Sequence, residues 1–284
     1  MVNKKDYEYI HLSSAEYFRG TFSQISLGQS LIENSKFQEC DCKKLGMKNA
    51  ELKLTNFFQC EMMDCYMRHA TFENCEIIGC KFINCNLEKA IFFNSSFKYV
   101  VFENCLLNVD EIIKSAPKEA NLKLGFFREI YKNELQMGHS DMYDKLLFLI
   151  RETEAELFKS IFVSREVYFK NKYKHKKKVR LSYGIKFVGL KFSKYLWGYG
   201  LKLWRILISF VALSFIFSFF YYLESNFTIN QGIEYSIQNL LLSNLNDSSL
   251  QVTNSLRWTG YFQNFCSIVY IAVLTSSFYR KIAR

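Results

Sequence analysis

The chain has 284 residues, of which 49% are hydrophobic and 17% aromatic, and it carries a formal net charge of +10 at pH 7. This length leaves room for two or three folded units. Thirteen of the 37 lysines and arginines lie between residues 164 and 205, where Glu166 is the only acidic residue. Most of the excess positive charge is therefore concentrated in this segment, which excludes a uniformly basic surface.

A five-residue repeat dominates the N-terminal part. Every fifth residue from Phe22 to Leu107 is apolar, and the residue two positions before each of them is mostly small. A period of five fits neither a helix nor a strand, so the chain must turn once per repeat and point the same two positions inward. Four short sides give a coil of about 20 residues, with coils stacked about 4.8 Å apart. Stability must then come from stacking of neighbouring coils.

In this pattern the chain resembles the pentapeptide-repeat family over residues 20–107. The resemblance implies a right-handed quadrilateral β-helix, the pentapeptide-repeat solenoid, with an interaction surface and no reaction. Some soluble members of that family act as DNA mimics, which requires a strongly negative face. Residues 22–107 hold ten acidic and nine basic residues, which argues against mimicry.

Eight of the nine cysteines fall in the two columns of the repeat. In such positions cysteine is a compact apolar filler. Thiols should stack one coil apart, but their parallel Cβ vectors are poor geometry for a disulfide. The alternative is a metal site, for which a C-x2-C pair and nearby histidines are lacking. We predict structural cysteines, no metal site and a reducing compartment.

Beyond Leu107 the five-residue pattern stops and a helical pattern begins. Apolar residues recur at spacings of three and four on both sides of Gly138, which predicts an antiparallel helix pair. We expect the stretch before Pro117 to cap the solenoid. His139 and Asp141 are interpreted as turn and capping residues rather than as an acid and base pair.

Two later segments are long and uncharged. Ile206–Leu223 has eighteen residues without a charge, or about 27 Å of helix, which nearly spans a hydrocarbon core. Trp258–Tyr279 has twenty-two such residues and is more polar. We predict that both are transmembrane helices; the alternative for each is a buried core helix of a soluble domain.

Charge predicts the orientation of these spans. Lysine and arginine lie before the first span and after the second, and residues 224–256 contain neither. By the positive-inside rule both termini are cytoplasmic and the connecting loop is external. Met1–Tyr17 has no apolar stretch typical of a cleavable signal peptide. We therefore expect a multi-pass protein of the bacterial inner membrane, with its solenoid in the cytoplasm.

The basic segment lies directly before the first predicted span. A nucleic-acid patch is the alternative interpretation of such a run. The position favours contacts with anionic lipid headgroups, worth about 1 kcal/mol per side chain, through Lys174, Lys176, Lys177, Lys178 and Arg180. The aromatic residues that follow, including Trp197 and Trp204, are typical of an interfacial belt. We expect this segment to lie along the membrane.

The loop between the spans is where a channel would carry its chemistry. Gly232–Leu242 is predicted to be a short, pore-helix-like segment. With Trp197-Gly-Tyr-Gly before the first span and Arg280-Lys-Ile after the second, this arrangement is similar to bacterial proteins that join pentapeptide repeats to a two-transmembrane, ion-channel-like module. A potassium filter needs a T-x-G-Y-G-type strand. The candidate pore loop has no glycine, so we do not expect potassium selectivity; its polar residues are Ser243, Asn244, Asn246 and Asp247.

Small and polar residues recur on one helical face of the second predicted span. They are Gly260, Asn264, Ser267 and Thr275, with Gln263 and Ser276 beside them. This face could line a water-filled path in an oligomer, or it could pack helices through hydrogen bonds worth roughly 0.6 to 2 kcal/mol each. Ser214 and Ser218 of the first span would face the same bundle.

The predicted organisation is mainly β in the N-terminal solenoid, followed by an α-helical linker and a two-helix transmembrane C-terminal region. In chain order the segments are an N-terminal cap at 1–19, the solenoid at 20–107, the helix pair at 108–163, the basic interfacial segment at 164–205, a first span at 206–223, an external loop at 224–257, a second span at 258–279 and a basic tail at 280–284.

Function is open between two classes. The histidines are scattered and phosphate-binding glycine loops are lacking, so we expect no enzyme, no cofactor and no nucleic-acid partner. In the first class the solenoid senses or binds a cytoplasmic protein and is coupled to a non-potassium-selective pore, for example as a membrane-disrupting effector in antiphage defence. In the second class the spans only anchor a scaffold that recruits protein partners. A pore requires a homo-oligomer, because two spans per chain cannot enclose an aqueous path.

Overall fold

The computed structural model describes residues 10–164, 167–174, 176–224, 228–241 and 254–282. The chain forms two compact units, Met1–Gly184 and Ile185–Arg284.

The first unit begins with a four-sided β-solenoid of about five coils. Three faces are parallel five-stranded sheets, and the fourth consists of two strands and isolated bridges. The first face contains β1 (His11–Ser13), β4 (Leu31–Glu33), β7 (Glu51–Lys53), β10 (Thr71–Glu73) and β14 (Ile91–Phe93). The second contains β2 (Glu16–Phe18), β5 (Lys36–Gln38), β8 (Asn56–Phe58), β11 (Glu76–Ile78) and β15 (Ser96–Lys98). The third contains β3 (Thr21–Ser23), β6 (Asp41–Lys43), β9 (Glu61–Met63), β12 (Lys81–Ile83) and β16 (Val101–Glu103), and the fourth β13 (Asn86–Leu87) and β17 (Leu106–Leu107).

The register of the strands confirms the predicted coil. Strands on each face pair in parallel with partners twenty residues apart, so Thr71 lies between Glu51 and Ile91. From β4 onward the central residue of each three-residue strand is buried. Phenylalanines one coil apart stack, with ring centroids 5.0 Å apart for Phe37 and Phe57, 4.9 Å for Phe72 and Phe92, and 5.4 Å for Phe82 and Phe102. Each stack contributes about 0.5 to 1.5 kcal/mol beyond burial.

The predicted N-terminal cap at 1–19 is wrong in its second half. Strands β1 and β2 belong to the first coil, with Leu12 paired with Ile32 and Tyr17 paired with Phe37. The rings of Tyr17 and Phe37 are stacked with centroids 5.1 Å apart. The apolar column therefore continues two repeats further toward the N-terminus than was predicted.

The solenoid cysteines are free and buried. The thiols of the small column donate to backbone carbonyl oxygens; Cys75 Sγ lies 3.3 Å from Leu52 O in the preceding coil. Burial raises the pKa of Cys75 to about 11, so this thiol stays protonated and keeps donating at neutral pH. The Cys75 thiol is therefore packed and unreactive. Within the described ranges, no group of three or more His, Cys, Asp or Glu residues could hold a metal ion.

Left-handed residues form the corners of the solenoid. Corner residues other than glycine have φ between 46° and 60°, and six of them are asparagines. Asparagine tolerates this conformation because its short polar side chain bonds locally. Leu54, with φ of 50°, is exposed and has no such compensation.

Replacing Leu54 by asparagine should therefore stabilise the solenoid by about 1 kcal/mol. Chemical denaturation of the purified full-length protein, followed by circular dichroism, measures the change. The matched variant is Asn74→Leu at the same corner one coil further on. It should lose at least as much stability, because Asn74 Oδ1 also accepts a hydrogen bond from Asn94 Nδ2 at 2.6 Å. Equal stability of the parent, Leu54→Asn and Asn74→Leu would contradict the claim that leucine is strained at this corner.

Helices close the C-terminal end of the solenoid. They are α1 (Val109–Ile112), a 3-10 turn (Ile113–Ser115), α2 (Ala120–Met137) and α3 (Tyr143–Val163). Asn133 of α2 accepts a hydrogen bond from the Cys105 N–H and donates one to the Cys105 carbonyl, both at 2.8 Å. The ring of Phe126 stacks on Phe97 with centroids 5.6 Å apart. The cap thus extends beyond the stretch before Pro117 and includes α2.

Glu134 is a buried carboxylate beside this cap. Asn133 Nδ2 lies 3.2 Å from its Oε1, and His139 Nδ1 lies 3.2 Å from its Oε2. His139 also donates its backbone N–H to the Glu134 carbonyl at the end of α2, next to Gly138 with φ of 71°. His139 is therefore part of the turn, as its neighbourhood in the sequence suggested.

Removing the charge of Glu134 should change stability in a pH-dependent way. Burial raises the pKa of Glu134 above its ordinary value. The native state then binds the carboxyl proton of Glu134 more tightly than the unfolded chain does. The stability that the protonated carboxyl contributes is therefore present at acid pH and is lost as pH rises through the raised pKa. We expect Glu134→Gln to be more stable than the parent at pH 7 and equal to it near pH 4, as measured by denaturation at both pH values. A constant difference would contradict this linkage.

The remaining helices are α4 (Val167–Lys172), α5 (Lys177–Trp197), α6 (Leu203–Glu224), α7 (Ile229–Leu240) and α8 (Asn254–Ile282), with a 3-10 turn at Gly198–Gly200 before α6. Among the described helices, only α6, over Leu203–Leu223, is long and apolar enough to cross a membrane, by length and composition. The second span at 258–279 does not meet that criterion, so it stays a prediction. Helix α7 occupies most of the segment predicted to be pore-helix-like.

Candidate functional site

Helix α7 folds back along α6 in the second unit. Ser236 Oγ donates to the Ser214 carbonyl at 2.7 Å. Gly232 approaches α6 so closely that an added Cβ would lie 3.0 Å from the Ser218 carbonyl oxygen. These pairs run in opposite directions along the two helices, so the helices are antiparallel. Because Ser214 lies midway along α6, the C-terminal turn of α7 is held near the middle of that helix.

The start of α7 is fixed by a capping box. The Thr228 side chain accepts a hydrogen bond from the Gln231 N–H, and the Gln231 side chain accepts one from the Thr228 N–H. This reciprocal arrangement satisfies two backbone donors that helix starts leave unpaired. The reversal between α6 and α7 is therefore followed by a well-defined helix start.

Gln263 of α8 joins the three helices through its side-chain amide. Its side chain is fully buried. Oε1 accepts a hydrogen bond from Tyr221 Oη of α6 at 2.7 Å, and Nε2 donates to the carbonyl and the hydroxyl oxygen of Ser236 in α7 at 2.8 and 2.9 Å. We call Gln263, Tyr221, Ser236 and Ser214 the glutamine network. Each bond contributes about 0.5 to 1.5 kcal/mol net, but removing one partner leaves buried groups unsatisfied at greater cost.

The faces of α8 are inverted relative to a helix of a water-soluble protein. Three of its polar residues, Gln263, Ser267 and Ser277, are buried together with Leu256 and Tyr270. Its large apolar and aromatic residues are exposed, among them Trp258, Tyr261, Phe262, Phe265 and Ile268. A soluble helix buries its apolar stripe and exposes its polar face. The arrangement in α8 is typical of a helix whose outer face contacts an apolar solvent.

The four residues predicted on the second span divide into two pairs. Gly260 is buried, with an added Cβ 3.6 Å from Asn239 Nδ2, and Ser267 is buried and donates to the Gln263 carbonyl at 3.0 Å. Thr275 is exposed and donates to the Ile271 carbonyl. Asn264 is partly exposed, and its buried Oδ1 atom has no hydrogen-bond partner in the described part of the chain.

The buried face is therefore centred on Gln263 and not on Asn264. The sequence pattern predicted a polar face through Asn264, because Gly260 and Ser267 flank it at helical spacing, and it placed Gln263 beside that face. It gave no signal for Tyr221 or Ser236 as partners, since their roles depend on how α6 and α7 pack. A glutamine within an otherwise uncharged helix was the available signal.

A left-handed turn connects α5 to α6. Gly198, Tyr199 and Gly200 all have positive φ, at 55°, 61° and 71°. The Gly200 carbonyl accepts hydrogen bonds from Ser277 Oγ at 2.8 Å and Arg280 Nη2 at 2.5 Å. The Gly-Tyr-Gly motif noted in the sequence is thus a turn held by the C-terminal end of α8.

The residues predicted to contact lipid headgroups are mostly accessible. Lys174, Lys176, Lys177 and Lys178 are exposed. Arg180 instead donates from Nε and Nη2 to the Phe162 carbonyl near the end of α3, at 3.3 and 2.9 Å. The guanidinium of Arg180 is thus engaged at a helix end, and its contact with a headgroup stays a prediction. The predicted pore-loop residues Ser243, Asn244, Asn246 and Asp247 lie outside the described residues.

Comparison with known proteins agrees with the N-terminal architecture. Residues 70–108 match the family described as Pentapeptide repeats, in eight copies. This N-terminal segment is a pentapeptide-repeat solenoid. No curated protein matches the chain.

Two solved structures, the second of them described as a pentapeptide-repeat protein, are similar to parts of the chain. A trypsin-treated form of QnrB1, a plasmid-mediated fluoroquinolone resistance protein, is 15% identical over 34% of this chain and 62% of its own, with a TM-score of 0.25. Rfr23 from the cyanobacterium Cyanothece 51142 is 19% identical over 31% of this chain and 63% of its own, with a TM-score of 0.21. The chain thus spans less than two thirds of either protein.

Proposed function

We propose that the protein is an integral membrane protein in which helices α6, α7 and α8 build an oligomeric, channel-like pore that is not potassium-selective. The solenoid is its cytoplasmic interaction module. The observation that carries the proposal is the inverted face of α8, where Gln263 is buried and Phe262 is 61% exposed. An apolar outer face of this kind is stable in lipid and costly in water. This exposed apolar face supports a membrane position for α8. The helix is long enough to cross a membrane, but it is too polar to meet the criterion that α6 meets.

Helix α7 supports a pore rather than a simple anchor. Its twelve residues are about 18 Å long, and it runs back along α6 to half its length. The backbone carbonyls of its last turn, of which that of Ile237 accepts the Leu241 N–H at 3.0 Å, would then lie at membrane depth. Such groups are tolerated there only where they are buried in protein or face water. Their partial negative charge favours cations over anions in an adjoining path.

Copies of the chain would complete this path. Asn264 and Thr275 lie at the edge of the buried face of α8, so they would face neighbouring copies or the lumen. The partial exposure of Asn264 and the exposure of Thr275 support this position. The alternative function, a membrane-anchored scaffold without conduction, is favoured by Gly260 and Ser267, which pack within the chain itself.

Membrane potential in bacteria tests the proposal. A voltage-sensitive dye is read in cells that express the full chain, a version stopped after Arg205, Asn264→Leu, or Phe265→Leu. Phe265 is adjacent and exposed, so it controls for changes of apolar volume in α8. The proposal expects depolarisation by the full chain and by Phe265→Leu, and at least a several-fold weaker response from Asn264→Leu and the truncation. Normal potential in cells with the full chain in the membrane would mean that the chain is either a closed pore or the scaffold.

The biological use follows from conduction. A pore that dissipates the membrane potential when the solenoid binds its protein partner would act as a membrane-disrupting effector, as in antiphage defence. The partner is then identified with the solenoid as bait in the cells that depolarise.

A further inference from the structure

Helix α5 presents an exposed apolar stripe along most of its length. The residues recur at spacings of four, three, four and three, and all have large side chains with high exposure; Ile185, for example, is 68% exposed. They are Leu181, Ile185, Val188, Phe192 and Tyr195. At 1.5 Å per residue the 21 residues of α5 are about 32 Å long. Soluble monomers rarely leave a continuous stripe of this size exposed.

Another side of α5 is already occupied. An added Cβ on Gly184 would lie 2.7 Å from the ring of Phe162 in α3, so the two helices approach closely at this point. The ring centroids of Tyr183 and Phe158 are 5.4 Å apart. The exposed stripe is thus separate from the side through which the N-terminal part of α5 contacts α3.

Charge identifies what covers the stripe. Helix α5 contains no aspartate or glutamate, and its cations are Lys177, Lys178, Arg180, Lys186, Lys191 and Lys194. A second copy of the same helix would bring like charges together, and the spacing of a coiled coil usually comes with paired acidic and basic flanks. An anionic surface complements this helix. The stripe with basic flanks is the pattern of a helix that lies in the plane of a membrane interface.

The end of α5 also restricts where it can lie. Trp197 is its last residue, and α6 begins at Leu203. Six residues of chain reach at most about 20 Å. If α6 crosses the membrane, the C-terminal end of α5 must therefore be near the membrane surface, where Tyr195 and Trp197 fit the headgroup level.

We infer that α5 is an interfacial helix that binds anionic lipid headgroups. Its apolar stripe is buried about 5 to 10 Å into the boundary between headgroups and acyl chains, and its lysines contact lipid phosphates. The inference rests on the membrane position of α6 in the proposed function, but not on conduction.

Depth measurements on the full-length protein test this inference. A nitroxide is attached at Ile185→Cys on the stripe or at Ser182→Cys, which is exposed on a different side of α5. Both variants carry Cys266→Ala, because the other native thiols are buried. The protein is reconstituted in vesicles of phosphatidylcholine with 30% phosphatidylglycerol, or of phosphatidylcholine alone, and accessibilities to oxygen and to a water-soluble nickel chelate give the depth.

The inference expects the Ile185 label below the phosphate plane and the Ser182 label at or above it, with the Ile185 label deeper in anionic vesicles. Equal aqueous exposure of both labels would overturn it, and equal depth in the two lipids would overturn the anionic preference. Spin coupling between Ile185 labels of two copies would instead assign the stripe to a dimer. A label at Ile268→Cys on α8 should lie deep in the bilayer whether or not α5 lies at the interface. A deep Ile268 label with an exposed Ile185 label would overturn only the inference about α5, whereas an exposed Ile268 label would contradict the proposed function.

Discussion

Replacing Phe92 by alanine is expected to lower the stability of the solenoid by about 3 to 5 kcal/mol, the usual cost of truncating a buried phenylalanine. Phe92 is 4% exposed, and its ring stacks on Phe72 at 4.9 Å and meets Phe97 at 5.0 Å. Phe72 in the preceding coil and Phe97 on the next side of the same coil therefore each lose a packing partner. Because each coil is stabilised by its neighbours, the loss should spread to adjacent coils.

The next residue provides the matched control. Phe93 is 64% exposed on the same strand, so Phe93→Ala should change stability by less than about 0.5 kcal/mol. Hydrogen exchange of the full-length protein, read by mass spectrometry on peptides from β10 and β14, measures both variants. Similar exchange rates in Phe92→Ala and Phe93→Ala would contradict the assignment of the inward column.

Replacing Gln263 by leucine should destabilise the second unit by about 2 to 4 kcal/mol. The substitution keeps the approximate size of the side chain but leaves the Tyr221 hydroxyl and the Ser236 carbonyl without their partner. Each unsatisfied buried group costs roughly 1 to 3 kcal/mol. Thermal unfolding of the purified protein in detergent should then begin at a lower temperature.

Two variants show whether the network is the cause. Phe262→Leu changes the neighbouring exposed residue and should leave unfolding almost unchanged. Tyr221→Phe removes one bond of the glutamine network, and its effect should be less than additive with that of Gln263→Leu because the two residues share a bond. Full additivity of the two substitutions would mean that they act independently, which would contradict the network.

The solenoid was predictable because its constraint is local and repeated. Every fifth position faces the core, so residues such as Phe72 and Phe92 identify the coil length without any knowledge of distant contacts. The N-terminal limit was wrong because Leu12 and Tyr17, which continue the column, were assigned to a cap. The extent of the cap was also not predictable, since Asn133 reaches Cys105 only after α2 has packed on the last coil.

The helices of the second unit were predictable from the sequence, but the buried hydrogen-bond network between them was not. Uncharged runs gave α6 and α8, and the short helix between them was expected. The buried centre at Gln263 was not, because its partners Tyr221 and Ser236 lie on two other helices. Periodicity identifies which residues share a face of one helix, but the partner of that face depends on packing that no single segment encodes.

The location of the C-terminus relative to the N-terminus tests the membrane arrangement most directly. If α6 and α8 both cross the bilayer and α7 folds back between them, both termini are on the cytoplasmic side. Green fluorescent protein fused after Arg284 should then be fluorescent in bacteria, and alkaline phosphatase fused at the same place should be inactive. Active phosphatase and a dark fluorescent protein would place the C-terminus outside the cytoplasm, which would contradict this arrangement of α6, α7 and α8.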